Sequence, residues 1–196
     1  MDNRKKGIVS TVPEAGEVFE LTIDEPIDPV EMIRMDGYNP TGWVSRGPNV
    51  SSWVTRKFKL VVIGYSSSFI KLNAELKEVG KPALGQWREA FKEKYPHSDG
   101  KGPIGFTGSV WLSPHNRPFS PCIYTEVCDK SYNSHRRYWS DYTYRRGQSW
   151  TSGLFDVVAY SDPLQPEYAP YHHLGVDGTV WIDSHSSDWR FVVQVQ

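Results

Sequence analysis

The tract Gly105-Phe-Thr-Gly108-Ser-Val-Trp111-Leu-Ser-Pro-His115 returns seventy residues later as Gly175-Val-Asp-Gly178-Thr-Val-Trp181-Ile-Asp-Ser-His185, with five of eleven positions identical and two conservatively replaced. Each copy sets two glycines three residues apart, where the chain can take positive φ. Each then alternates Ser/Thr, Val, Trp and Leu/Ile with the two-residue period of a strand. A turn feeding a strand, used twice, commits the second half of the chain to β structure. The repeat specifies architecture and names no reaction.

The rest of the chain supplies the other elements. Residues 17–23 alternate with Phe19, Leu21 and Ile23 on one side, the pattern of a half-buried strand. Asp28-Pro29-Val30-Glu31 combines an N-cap, a proline at the first helical position and an acid three residues after the cap, so a short helix should run to about Met35 and stop at Gly37. Residues 38–52 read as a Gly/Pro/Asn/Ser-rich loop carrying Trp43, and 53–65 as a long strand dense in β-branched and aromatic side chains. Phe69, Leu72, Leu76 and Val79 predict a helix over about 68–79, closed by Gly80. A third helix is expected to open at Pro82, with Leu84, Trp87, Phe91 and Tyr95 as its apolar stripe and Arg88, Glu89, Lys92, Glu93 and Lys94 as a solvated face. Beyond Pro96, short strands are expected near 108–113, 121–127, 154–160, 178–183 and 189–195. The expectation is an α+β fold in a single domain, 1–196: a mostly antiparallel sheet, two to three helices in the N-terminal half (within about 28–95) and a β-rich C-terminal half (about 104–196).

A chain of 196 residues can bury a core without staples, since a domain of ~150 residues already buries roughly 70% of its unfolded surface. Net charge of −1 argues against a general polyanion binder and against a DNA mimic. The N-terminus has basic residues but no apolar stretch after them, and no window approaches ~18 uninterrupted apolar residues. A cytoplasmic protein with no membrane partner is therefore expected. Cys122 and Cys128 would lie ~20 Å apart on one extended strand, too far for a disulfide without an intervening turn. Two reduced thiols are expected.

Six blocks carry a resemblance. They are Glu17–Asp24, Glu31–Tyr38, Phe58–Tyr65, Gly85–Lys92, Tyr95–Phe106 and Asp188–Val193. Together they resemble a family of uncharacterised small proteins of bacterial genomes and phages. The resemblance implies a compact cytosolic protein carried by mobile or viral DNA, and brings with it no activity, cofactor or catalytic residue. Residues 114–176 depart from the family pattern, so what is particular to this chain is expected there.

Within that stretch, 129–146 holds Lys130, Arg136, Arg137, Arg145 and Arg146 against Asp129 and Asp141, five positive and two negative charges, a local net of +3. Tyr132, Tyr138, Trp139, Tyr142 and Tyr144 are interleaved with them. Cations between planar rings suit a protein interface, where Tyr, Trp and Arg are the usual anchors. They also suit single-stranded nucleic acid, which stacks its bases and loses its counterions, or a hairpin tied to its own sheet. The contact set expected for a host or phage protein is Arg136, Arg137, Tyr138, Trp139, Tyr142, Tyr144, Arg145 and Arg146. From Gly147 to Trp189 there is no Lys or Arg, and six acids follow one another, so the basic tract has a candidate counterpart in its own chain.

Reactive constellations are weaker. His172, His173, Asp183 and His185 lie in the acidic stretch, and His115 holds the equivalent place in the first copy of the repeat. Imidazoles and carboxylates ligate Zn, Mn or Fe, so these five form a candidate metal set for a hydrolase or nuclease, but their spacing matches no ligand motif. The Gly-x-Ser-x-Gly elbow and the phosphate-cradling loop are absent, and Asp99-Gly-Lys-Gly-Pro103 reads as a tight turn. No cofactor is implied. The leading expectation is a non-enzymatic binding protein of phage or mobile-element type, possible inhibitor of a host defence macromolecule. A metal-dependent hydrolase or nuclease is the alternative, and a structural virion component the third; the oligomeric state is left open.

Overall fold

In the computed structural model the described residues are 11–63, 69–125, 127–128, 143–144, 146–156 and 189–195. In chain order the elements are β1 (Val18–Ile23), α1 (Pro29–Met35), β2 (Val44–Arg46), β3 (Val54–Val62), α2 (Phe69–Val79), β4 (Lys81–Pro82), α3 (Trp87–Lys94), β5 (Ile104–Gly105), β6 (Val110–Leu112), β7 (Pro118–Tyr124), β8 (Val127–Cys128), β9 (Thr143–Tyr144), β10 (Thr151–Asp156) and β11 (Arg190–Gln194). Nine strands form one sheet whose path runs β1-β3-β11-β5-β7-β6-β2, with β10 added on β7 and β4 on β11. Only β11 with β5 is parallel among these pairings. The fold is α+β with a mostly antiparallel sheet. No described helix is long and apolar enough to cross a membrane.

Two helices take opposite faces of this sheet. Phe58 and Leu60 of β3 and Val192 of β11 pack with Trp87 and Phe91 of α3. Val61 of β3 and Phe191 and Val193 of β11 pack with Phe69, Leu72 and Leu76 of α2. Neighbouring residues of a strand point to opposite faces, so the alternation of β3 and β11 assigns one helix to each side. A third cluster joins Met32 and Ile33 of α1 to Trp111, Phe119 and Leu154.

Local chemistry explains the boundaries. Asp28 Oδ1 accepts the Val30 N–H at 2.8 Å, Pro29 opens α1, and Gly37 takes φ 89° just past its end, as the sequence predicts. In β1 Phe19, Leu21 and Ile23 are buried and Val18, Glu20 and Thr22 exposed, again as predicted. The strand expected from residue 53 begins at Val54, because Trp53 sits at φ 52° in a bend ahead of it. The third helix begins at Trp87, not at Pro82. Pro82 instead pairs with Val193 at the sheet, and Ala83 N–H donates to Val192 O at 2.9 Å. A proline suits that place because it needs no N–H of its own there. The predicted loop 38–52 contains β2, whose Val44–Arg46 pairs with β6.

The first copy of the repeat forms the expected turn between β5 and β6, with Trp111 buried and paired to Phe119. Its glycines serve a different purpose from the one the sequence suggests. Neither Gly105 nor Gly108 has positive φ. A Cβ on Gly105 would lie 2.8 Å from Phe191 Cδ1, and one on Gly108 only 2.3 Å from Pro82 O. Both are glycine because other chain segments press against their backbone. The second copy, 175–185, lies outside the described residues.

Gly108→Ala sets a methyl against a backbone oxygen that cannot rotate away, so it should lower stability by roughly 1–3 kcal/mol. Urea unfolding of the variant checks this, and an unchanged midpoint would contradict it.

Candidate functional site

Two strand pairs flank the basic and aromatic tract along the chain. β7 and β10 run antiparallel with Tyr124 opposite Thr151, and β8 and β9 run antiparallel with Val127 opposite Tyr144 and Cys128 opposite Thr143. The chain therefore departs through β7 and β8 and returns through β9 and β10, with residues 129–142 connecting β8 to β9. Arg136, Arg137, Tyr138, Trp139 and Tyr142 fall in that connection, and Arg145 just after β9; all lie outside the described residues. Tyr144 is placed on β9, and Arg146 is exposed in the turn that follows.

The return limb is stitched to the end of α3. Gly147 N–H donates to Ser98 O at 2.7 Å, and Ser98 N–H to Gln148 O at 2.8 Å. His97 and Ser149 form an antiparallel bridge, and the buried Trp150 donates from Nε1 to Tyr95 O at 2.8 Å. Tyr95 is itself the C-cap residue of α3. The next turn is tied to the sheet by Arg190 of β11, whose guanidinium reaches both Asp99 oxygens at 2.6 and 2.8 Å and Gly102 O at 3.1 Å. Residues 99–103 thus form the tight turn expected, and the Asp99 carboxylate that opens it is already taken by Arg190.

Of the five candidate metal ligands, His115 is exposed in the turn between β6 and β7, while His172, His173, Asp183 and His185 lie outside the described residues. Among the described residues no three His, Cys, Asp or Glu side chains are grouped to hold a metal ion.

Helix α3 differs from expectation in a second way, beyond its later start. Arg88, expected on a solvated face, has a side chain 0% exposed, and Asp36, the residue capping the end of α1, is 1% exposed. The two make a bidentate pair with both N···O distances 2.7 Å. Arg88 Nε also donates to Glu89 Oε1 at 2.9 Å, Nη1 lies 3.4 Å from Gly153 O on β10, and the guanidinium carbon stands 5.9 Å from the Trp111 ring centroid. A signal for this was present: Leu84, Arg88, Phe91 and Tyr95 are spaced four, three and four apart, which puts Arg88 on the apolar stripe.

Glu89 passes the network outward to Lys92, whose Nζ is 3.0 Å from Glu89 Oε2 and 2.6 Å from Ser152 Oγ. A serine beside a lysine is one arrangement that yields a nucleophile, provided the amine can be neutral. Here the Lys92 amine is engaged by both Glu89 and Ser152. Burial alone would raise the Glu89 carboxyl, but Arg88 and Lys92 outweigh it and hold it below the usual carboxylate range. Glu89 is correspondingly a poor base. Burial pushes the Asp36 carboxyl up, against the pull of Arg88. Burial also pushes the thiol of Cys122, a free and fully buried cysteine, far up, and the Tyr124 hydroxyl up to about 12. A thiol so held stays protonated and unreactive. The cluster is built to hold α1, α3 and β10 together.

No family model matches the chain, and neither a curated protein nor a solved structure does.

Arg88→Ala should destabilise the protein by roughly 3–5 kcal/mol, because it strands a buried carboxylate, whereas Arg88→Met with Asp36→Leu should recover most of that loss. Chemical denaturation of the three proteins checks this; equal loss in the single and double variants would contradict it. Glu89, with its folded pKa depressed, contributes stability that is present above the unfolded carboxylate pKa and is lost as pH falls through the folded one. Glu89→Gln should therefore flatten the acid limb of the stability curve below about pH 5. Parallel limbs for wild type and variant would remove the assignment.

Proposed function

We propose that this chain is a non-enzymatic, cytoplasmic binding protein of phage or mobile-element type, acting stoichiometrically on a host protein through residues 129–146. Inhibition of a host defence macromolecule is the natural form of such an action. The observation that carries the reading is the strand pair β8–β9, which brackets 129–142 and so separates the tract in the chain from the sheet. The anchored return limb, through Gly147, Ser149 and Trp150, supplies a firm base for such a contact surface. Arg136, Arg137, Tyr138, Trp139, Tyr142, Tyr144, Arg145 and Arg146 are the proposed contacts, rings and guanidinium groups being the side chains that dominate interface energetics. The phage or mobile-element setting comes from the block resemblance.

The test is affinity capture from host lysate with wild type and with Arg136, Arg137, Arg145 and Arg146 all changed to Glu. The charge-reversed protein should keep its thermal midpoint and lose a partner that wild type retains. Identical partner sets would remove the proposal. Loss of salt-sensitive binding to a labelled single-stranded oligonucleotide, with protein partners unchanged, would transfer the tract to nucleic acid.

A further inference from the structure

Among the described residues β1 ends the strand path and only one of its edges is taken, by β3 in the register Val18 opposite Lys59 through Ile23 opposite Val54. Which of its backbone groups point off the sheet follows from the next strand. Val195 N–H donates to Lys57 O at 2.9 Å on the β11 side. In an antiparallel ladder a residue bonded on one side makes no ladder bond on the other, so Lys57 leaves Glu20, directly opposite it, unbonded. The N–H and C=O of Glu20, and by the two-residue alternation those of Val18 and Thr22, therefore face outward. The same three residues carry exposed side chains, Val18 at 54%. This is a strand-pairing template with a hydrophobic residue on it.

One group stands across it. Lys94, the last residue of α3, donates from Nζ to Glu20 O at 2.6 Å, and the same ammonium lies 5.7 Å from the Tyr95 ring centroid. We infer that the outer edge of β1 is a pairing surface for a second copy of this chain, and that Lys94 keeps it closed by occupying the Glu20 carbonyl. Self-pairing suits this edge. With the two-fold axis at Phe19, Val18 faces Glu20 of the second copy and Glu20 faces its Val18, so outward groups meet outward groups and no like charges are opposed. Such a dimer must displace the ammonium from its acceptor, the Glu20 carbonyl.

The experiment measures self-association of the full chain by sedimentation velocity over rising concentration. The proteins are wild type, Lys94→Met, Lys94→Arg and Lys94→Met with Glu20→Pro. Methionine is close to lysine in length and removes the charge, so the fold is retained; Lys94→Ala is the second variant should it not be. Proline at 20 removes an outward N–H, together with the Glu20 side chain, and no ladder bond to β3. Lys94→Met should associate about tenfold or more tightly than wild type, Lys94→Arg should behave as wild type, and the double variant should return to wild-type behaviour. Association of Lys94→Met equal to wild type overturns the inference. So does a dimer that survives Glu20→Pro, because it then uses another surface.

Discussion

The buried pair between Arg88 and Asp36 is the constraint around which the described structure is arranged. Removing a guanidinium and a carboxylate from water costs several kcal/mol per ion, and only good geometry with further hydrogen bonds offsets it. Here the offset comes from three elements at once: Asp36 at the end of α1, Glu89 beside Arg88 on α3, and Gly153 O on β10. The ring of Trp111 closes the remaining side. If α1 or β10 shifts, the cation loses partners, so the pair fixes the position of the satellite core of Met32, Ile33, Trp111, Phe119 and Leu154. An apolar cluster of that size, packed alone, would accept several arrangements; a guanidinium with directional partners accepts few.

A second constraint is topological. β11 lies inside the sheet path, between β3 and β5, although it comes from residues 190–194. Its Phe191 presses on Gly105, and its Val193 and Gln194 O press on Gly80, places where a Cβ would lie within 3 Å of a neighbour. The close approach lets β4 and β5 share one edge of β11 while β3 takes the other. These are pairings of high sequence separation, whose loop-closure entropy must be met before their contacts contribute, so a slow-folding sheet is expected.

What was legible in the sequence follows this division. Elements set by local chemistry could be read: the alternation of β1, the Asp28-Pro29 start of α1, the apolar spacing of α2, and the turn between β5 and β6. Elements set by distant partners could not. β2 and β4 are too short to have a period and exist because β6 and β11 offer them edges. Pro82 looks like a helix start until Val193 is beside it. Gly105 and Gly108 looked like turn residues because sequence shows a missing side chain but not what fills its place. Arg88 was misplaced by its charge although its spacing was right, since pattern reading sends cations to solvent unless a partner is in view. Asp36, the partner, lies on another element fifty-two residues away. The composition of 129–146 was equally plain, while its bracketing by β8 and β9 depends on pairing across the whole tract.

Helix α3 connects these features. Its Arg88 turns inward to the ion pair, its C-cap Tyr95 offers a carbonyl to Trp150 at the foot of the return limb, and its Lys94 turns outward to the Glu20 carbonyl of β1. A helix eight residues long, Trp87–Lys94, is only marginal by itself and owes its position to packing. Phe91 supplies that packing, meeting Phe19, Tyr95, Phe106 and Trp150 within one ring-rich core. Because the same short element is fixed at Arg88 and at Phe91, the foot of the 129–146 tract and the guard on the β1 edge inherit one rigid reference. A change that loosened Arg88 would therefore be felt at both surfaces before either was touched directly.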